Sequence, residues 1–176
     1  MDYLWTPWRY KYVTSNNRSA PNPLEEAPEA APRCVFCHIP EATEAEERRR
    51  GLVFRGKYCF ICLNAFPYTA GHVMVVPYQH LDELQKLPAE AAFEMIALGQ
   101  RLEGVLRQLY EPDGLNLGMN LGEAAGAGVA GHIHLHVLPR WIGDGNFLSV
   151  VGETRVLPET LDITWQRLRD ALGASK

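Results

Sequence analysis

The chain has 176 residues, 47% of them hydrophobic and 22% charged, with a net charge of −4. That is enough chain for one domain with its own core, and the acidic balance argues against a general nucleic-acid binder. No apolar run approaches the roughly 18–20 residues of a membrane span, so no membrane partner is expected. The opening MDYLWTPWRYKYV lacks a signal-peptide apolar region, which predicts a cytoplasmic protein with reduced thiols. Its four cysteines are then candidates for metal binding or core packing rather than disulfides.

In chain order, residues 1–33 read as an aromatic arm followed by a Pro-rich loop, SNNRSAPNPLEEAPEAAPR. CVFCHIP follows, and the charged EATEAEERRR predicts a short helix. LVFRGKYCFICLNAF predicts two strands joined at Arg55-Gly56-Lys57. PYTAG is a turn and HVMVVP a third strand. In residues 87–110, Ala91, Met95, Leu98, Leu102, Val105, Leu106 and Leu109 recur at three- and four-residue steps, which predicts a helix with one apolar stripe. Pro88 suits its first turn, and Glu90 the positive end of its dipole. GLNLGMNL (114–121) predicts a strand, GEAAGAGVAG a glycine-rich loop, and Pro158 starts a tail helix containing Leu161, Trp165 and Leu168. Strands, one long helix, more strands and a tail indicate an α+β fold with an antiparallel sheet.

The segment GHIHLHVLPR (131–140) alternates three of the six histidines with apolar residues. Alternation at period two marks a half-buried strand. Ile133, Leu135 and Val137 would face the core, and His132, His134 and His136 the opposite side, roughly 6.5–7 Å apart. A metal, phosphate chemistry or plain surface would each account for such a face. The loop before it can offer free backbone N–H groups to an anion. Arg140 lies just beyond the strand, and His72 opens another strand after a tight turn.

The cysteines form two C-x-x-C pairs separated by 21 residues, close to a four-cysteine zinc pattern. Cys59 and Cys62, however, lie three apart in an apolar strand, so their side chains point to opposite faces; both read as core. Cys34 and Cys37 sit in a turn-like stretch, and their further ligands should be nitrogen. His38 is one local candidate, and a reduced buried thiol pair is the plain alternative.

GHIHLHVLPRW resembles the signature of the histidine triad (HIT) superfamily, with LNAFPYTAGHVMVVP and PRWIGDGNF resembling the segments on either side of it. The likeness spans roughly residues 34–148. LWTPWRYKY and GDGNF point to a bacterial branch similar to the diadenosine tetraphosphate phosphorylases and related dinucleoside polyphosphate hydrolases. The resemblance implies a HIT-like half-barrel of about five antiparallel strands with one long helix and a C-terminal helix, paired as a homodimer with a continuous sheet. It divides the chain into an arm (1–33), a HIT domain (34–150) and a tail helix (151–176).

It implies catalytic roles for His134 as nucleophile, His136 as its assistant and His72 opposite. Asn64 is implied at the ribose hydroxyls and Asn120 near the phosphates. Several branches carry Gln, Ser or Thr in the loop before the triad; here Gly126, Gly128 and Val129 offer only backbone donors, with Arg140 as a further candidate for phosphate. Zinc-bearing members imply Cys34, Cys37, His80 and His132 as ligands of a structural zinc, with no catalytic metal or organic cofactor. The expected substrates are adenine nucleotides joined as dinucleoside polyphosphates, cleaved through a nucleotidyl-histidine that phosphate or water resolves. A nucleoside phosphoramidase, an AMP-releasing hydrolase and a zinc-stabilised binding protein without turnover are the alternatives.

Overall fold

A computed structural model describes residues 34–145, 147–152 and 157–174. The aromatic arm and the Pro-rich loop lie outside them. Two short apolar runs form the first hairpin, β1 (Leu52–Arg55) and β2 (Cys59–Leu63). The turn between them is clamped from outside. Glu94, on the long helix, accepts the backbone N–H groups of Lys57, Tyr58 and Cys59 at 2.7, 2.5 and 2.8 Å. Only glycine fits at position 56, where a Cβ would lie 2.7 Å from the Cys59 carbonyl oxygen and 2.8 Å from Glu94 Oε1.

The remaining strands are β3 (Val73–Pro77), β4 (Gly114–Gly118) and β5 (Leu135–Arg140). They assemble with the hairpin as one antiparallel sheet in the order β1-β2-β3-β5-β4. The last strand in sequence is therefore interior: β5 pairs with β3 on one side and β4 on the other. A strand bonded along both edges is held rigidly, which suits side chains that must keep a fixed geometry.

The helices are α1 (Val35–His38), α2 (Ala89–Tyr110), α3 (Phe147–Val150) and α4 (Leu161–Ala174). The stripe on α2 packs as its spacing predicts: Ala91, Met95, Leu98, Leu102, Val105 and Leu106 are buried against Ile133, Leu135 and Val137. Leu168 and Leu172 of α4 join that core. The same helix covers the edge of β1, whose carbonyls would otherwise lack partners: Trp165 Nε1 donates to Leu52 O and Arg169 Nη1 to Val53 O, each at 2.8 Å. Among the described residues, no helix is long and apolar enough to cross a membrane.

The sheet's other face is covered too. Phe36, Ile39, Ala42, Leu52, Phe60, Cys62, Met74 and Val76 form a second buried cluster. Cys59 lies in the first core and Cys62 in the second, on opposite faces as their three-residue spacing requires. Burial pushes the Cys59 thiol up to about 12 and the Cys62 thiol up as well; both are inert core groups.

Three expectations are corrected. The charged stretch before β1 forms successive turns rather than a helix. Thr43 and Glu46 do make a helix-start box, with the Glu46 carboxylate accepting the Thr43 N–H at 3.0 Å. Gly51, at φ 68°, then ends the winding and sends the chain into β1. The strand predicted over residues 114–121 stops at Gly118. The histidine strand enters the ladder only at Leu135, because the residues ahead of it bond elsewhere: Ile133 N–H donates to Leu81 O at 2.7 Å.

The Glu94 clamp joins helix to hairpin with three charge-assisted bonds. Glu94→Ala is expected to lower stability by about 1–3 kcal/mol and Glu94→Gln by less, read as urea midpoints. An unchanged midpoint for Glu94→Ala would show that the turn holds without it.

Candidate functional site

The alternation puts the three triad imidazoles on one face of the sheet, as expected, but that face is not open to solvent. His132 is 0% exposed, His134 4% and His136 9%; the Phe36 ring lies against His132 and His134, and the rings of Tyr68, His72 and His134 surround His136. A buried ring nitrogen needs a partner, and the partners here dictate which nitrogen carries each proton. A carbonyl oxygen can only accept. His134 Nδ1 lies 2.8 Å from the His132 carbonyl oxygen, so Nδ1–H donates and Nε2 keeps its lone pair. His132 Nε2 lies 2.9 Å from the Pro77 carbonyl oxygen, so Nε2–H donates and Nδ1 keeps its lone pair.

A third chain of bonds fixes His136. The Tyr68 backbone N–H donates to His72 Nδ1 at 3.1 Å. In the neutral His72 ring the proton is then on Nε2, which stands 2.9 Å from His136 Nδ1. His136 must accept there, leaving its own proton on Nε2, available to a ligand. Neighbouring rings on one face thus present a lone pair at His134 and a donor at His136, with ring centroids 4.7 Å apart. Burial depresses the basicity of His134, which keeps the ring neutral and its lone pair usable.

Asn64 adjoins this chain. Its amide Nδ2 is 3.4 Å from both His72 ring nitrogens, and its Oδ1 accepts the Phe66 N–H at 2.9 Å.

The donors named for metal also converge. The ligand atoms of Cys34, Cys37, His80 and His132 all lie within 4.8 Å of one another. His132 Nδ1 is 3.4 Å from Cys34 Sγ and 3.6 Å from Cys37 Sγ, and His80 Nδ1 is 3.3 Å from Cys37 Sγ. Ligands held tetrahedrally at about 2.3 Å (sulfur) and about 2.0–2.1 Å (nitrogen) stand roughly 3.5 Å apart, so the four fit a zinc-sized ion. The bond from His132 Nε2 to Pro77 turns the ligating nitrogen toward the sulfurs, as an outer partner of a metal-bound histidine does. Burial, with Cys34 adjacent, pushes the Cys37 thiol up to about 11, and a cation would reverse that preference. His38 is directed elsewhere, with Nδ1 2.8 Å from Glu41 Oε2.

The loop before the triad offers less than expected. The Gly126 amide is already bonded to Glu123 O at 2.9 Å, with the residue at φ 88°. The backbone donors of Gly128 and Val129 remain as candidates, and Val129 packs against the Phe36 cluster on the histidine side. Asn120 holds the loop through Nδ2 to Gly126 O at 3.3 Å. Arg140 is not brought to the histidines. It is paired with both Asp144 carboxylate oxygens at 2.6 and 2.9 Å and with Asn116 Oδ1 at 2.8 Å.

Sequence reasoning missed Tyr68, Phe36 and the Pro77 carbonyl. Tyr68 sets the His72 tautomer by its amide and stacks its ring near His136, at 6.0 Å and 27°. Only the PYTAG turn hinted at it. A backbone carbonyl carries no side-chain signal at all.

Burial, with His134 adding to it, pushes the His136 imidazole down to about 4 from its ordinary 6.5. Between those values the unfolded chain binds more protons than the folded one, so stability rises with pH there. The contribution is complete above 6.5 and lost as the pH falls through about 4. Between about pH 7 and about pH 4, the urea midpoint of the wild type is expected to drop further than that of His136→Asn. Parallel drops would show that His136 is not desolvated.

A model of the HIT domain matches residues 45–141. An AP-4-A phosphorylase of Mycobacterium tuberculosis is 40% identical over 159 residues, covering 90% of this chain and 77% of that protein. Among solved structures, a Zn-bound histidine triad family protein from Mycobacterium smegmatis superposes with a TM-score of 0.63 at 33% identity, covering 80% of this chain and 94% of that one. A diadenosine triphosphate hydrolase from Plasmodium falciparum shares the fold, with a TM-score of 0.61 at 16% identity over 80% of this chain and 98% of that one. The alternating triad, the five-stranded sheet and these likenesses place the chain in the HIT family.

Proposed function

We propose that the protein splits the phosphoanhydride chain of dinucleoside polyphosphates, diadenosine tetraphosphate foremost, and passes the nucleotide to orthophosphate. The observation that carries this reading is the lone pair of His134 Nε2, forced by the His132 carbonyl and set beside the His136 Nε2–H. In the first step, His134 Nε2 forms a bond to the α-phosphorus and the bond from that phosphorus to the bridging oxygen breaks. ATP leaves with the electron pair of that bond, its oxygen hydrogen-bonded by His136. AMP stays on His134 as a phosphoramidate, whose ring is now cationic. The charge strengthens the bond from Nδ1–H to the His132 carbonyl. In the second step, a phosphate oxygen attacks the same phosphorus, the N–P bond breaks, and ADP forms while His134 recovers its lone pair. Two such displacements through a covalent intermediate replace one difficult transfer.

Asn64 is assigned to the ribose hydroxyls, and the Gly128 and Val129 amides, steadied by Asn120, to phosphate oxygens. The M. tuberculosis relative, named as an AP-4-A phosphorylase, supports phosphate over water as the acceptor. Cys34, Cys37, His80 and His132 would hold zinc as a structural ion, because the four together leave no position for water. The zinc-bound M. smegmatis relative supports this reading. A homodimer is supported by β4 being an edge strand among the described residues and by exposed Phe93, Ile96 and Leu117. Reduced thiols and a nucleotide substrate fit the cytoplasm.

Incubation with diadenosine tetraphosphate and phosphate is expected to give ADP plus ATP, and His134→Ala to lose about a thousandfold or more in kcat with nucleotide binding retained. AMP plus ATP, with no response to phosphate, would make it a hydrolase. Activity of His134→Ala within about tenfold of wild type would remove the nucleophile assignment.

Elemental analysis is expected to find one zinc per chain. The Cys34→Ser, Cys37→Ser double variant should lose it and melt earlier, because the metal binds only the folded site. Cys59→Ala and Cys62→Ala should keep it. Zinc retained without Cys34 and Cys37 refutes the ligand set.

A further inference from the structure

The turn that supplies two of the four metal donors also touches the nucleophile. Phe36 lies between Cys34 and Cys37 and is 4% exposed. Its ring centre is 4.8 Å from that of His134, tilted by 49°, and 5.6 Å from that of His132, edge-on at 81°. The element that carries it, α1, is a single turn of four residues. A turn that short has no stability of its own, so its position depends on what grips it. Phe36 and Ile39 are held in the cluster over the sheet. Cys34 and Cys37 are held where their sulfurs meet His132 and His80.

The His134 ring is thereby constrained from two sides. The His132 carbonyl fixes which nitrogen is protonated, and the Phe36 ring limits rotation of the imidazole, whose terminal torsion is otherwise broad. Both constraints come from residues in or flanked by the metal donor set: His132 is itself a donor, and Phe36 lies between two others. We propose that Phe36 is a positioning residue for His134, and that a metal held by Cys34, Cys37, His80 and His132 acts on the nucleophile through Phe36 and through the His132 carbonyl. The proposal rests on His134 being the nucleophile. It makes the metal site more than a fold staple, since a phosphorus-attacking nitrogen displaced by a fraction of an ångström loses rate without losing substrate.

The test compares zinc-bound wild type with zinc-bound Phe36→Leu, and with Phe36→Met should the leucine variant fail to fold. Two measurements are made on each: steady-state kinetics with diadenosine tetraphosphate, and the nitrogen-15 spectrum of the His134 ring. The variant is expected to keep its zinc, to lose between about tenfold and a hundredfold in kcat with KM within about twofold, and to show a mixture of His134 tautomers where wild type shows one protonated at Nδ1. Removing the metal from wild type with a chelator is expected to produce the same mixture. It should change the spectrum of Phe36→Leu less, as coupled perturbations do. A single Nδ1-protonated His134 with unchanged kcat in Phe36→Leu overturns the positioning role. A wild-type His134 spectrum indifferent to metal removal overturns the coupling. If wild type fails to turn over the dinucleotide, the proposed function fails, and the nitrogen spectra still decide whether Phe36 and the metal hold His134.

Discussion

Burial of the triad face is the constraint on which the rest of the structure depends. Three imidazoles at period two would be unremarkable on a solvated strand, where water satisfies every ring nitrogen. Here Phe36 packs against His132 and His134 and Tyr68 against His136, all three imidazoles are buried, and each nitrogen must find a partner in the protein or in a ligand. Carbonyl oxygens accept from His132 and His134, a backbone amide donates to His72, and His72 passes its proton's direction on to His136. One chemical rule, that buried polar groups are paired, gives three identical side chains different faces: a free lone pair at His132 Nδ1 and at His134 Nε2, and a donor at His136 Nε2.

The sheet order contributes to this. With β5 between β3 and β4, His136 sits in a strand bonded on both sides, His134 lies immediately ahead of that strand, and His72 at the mouth of β3 is brought across to His136. The long helix supplies the opposite wall, so that Ile133, Leu135 and Val137 are locked into one core while their neighbours face the other. Polar clamps then tie the covering elements down at the sheet's far side. Glu94 holds the β1–β2 turn, and Trp165 and Arg169 take up the carbonyls of edge strand β1. These contacts are distant from the histidines and act on them only by fixing the two layers between which the triad is pressed.

The four convergent Cys and His donors illustrate how closely the candidate metal site and the triad are joined. His132 spends one nitrogen on Pro77, offers the other to the cysteine sulfurs, and lends its carbonyl to His134. Removing any one of these links leaves a buried polar atom without a partner, so the site is cooperative in the sense that its parts satisfy one another.

Much of this was already determined by the amino-acid order. Alternation placed the histidines on one face and the aliphatics on the other. The three- and four-residue steps of 87–110 set the buried stripe of α2, and the odd spacing of Cys59 and Cys62 separated them across the sheet. These are local consequences of the 2.0 and 3.6 periods and need no knowledge of the rest of the chain. The pairing of Cys34 and Cys37 with His80 and His132 was legible only through resemblance to a family, and it took the folded chain to bring residues 98 positions apart within reach. Tertiary structure alone decided that the histidine face is buried, that Arg140 is bound to Asp144 instead of facing the triad, that the Gly126 amide is already spent, and which nitrogen of each ring carries its proton. Those outcomes depend on backbone carbonyls, amides and covering side chains contributed by distant segments, and a backbone group has the same formula at every position in a sequence.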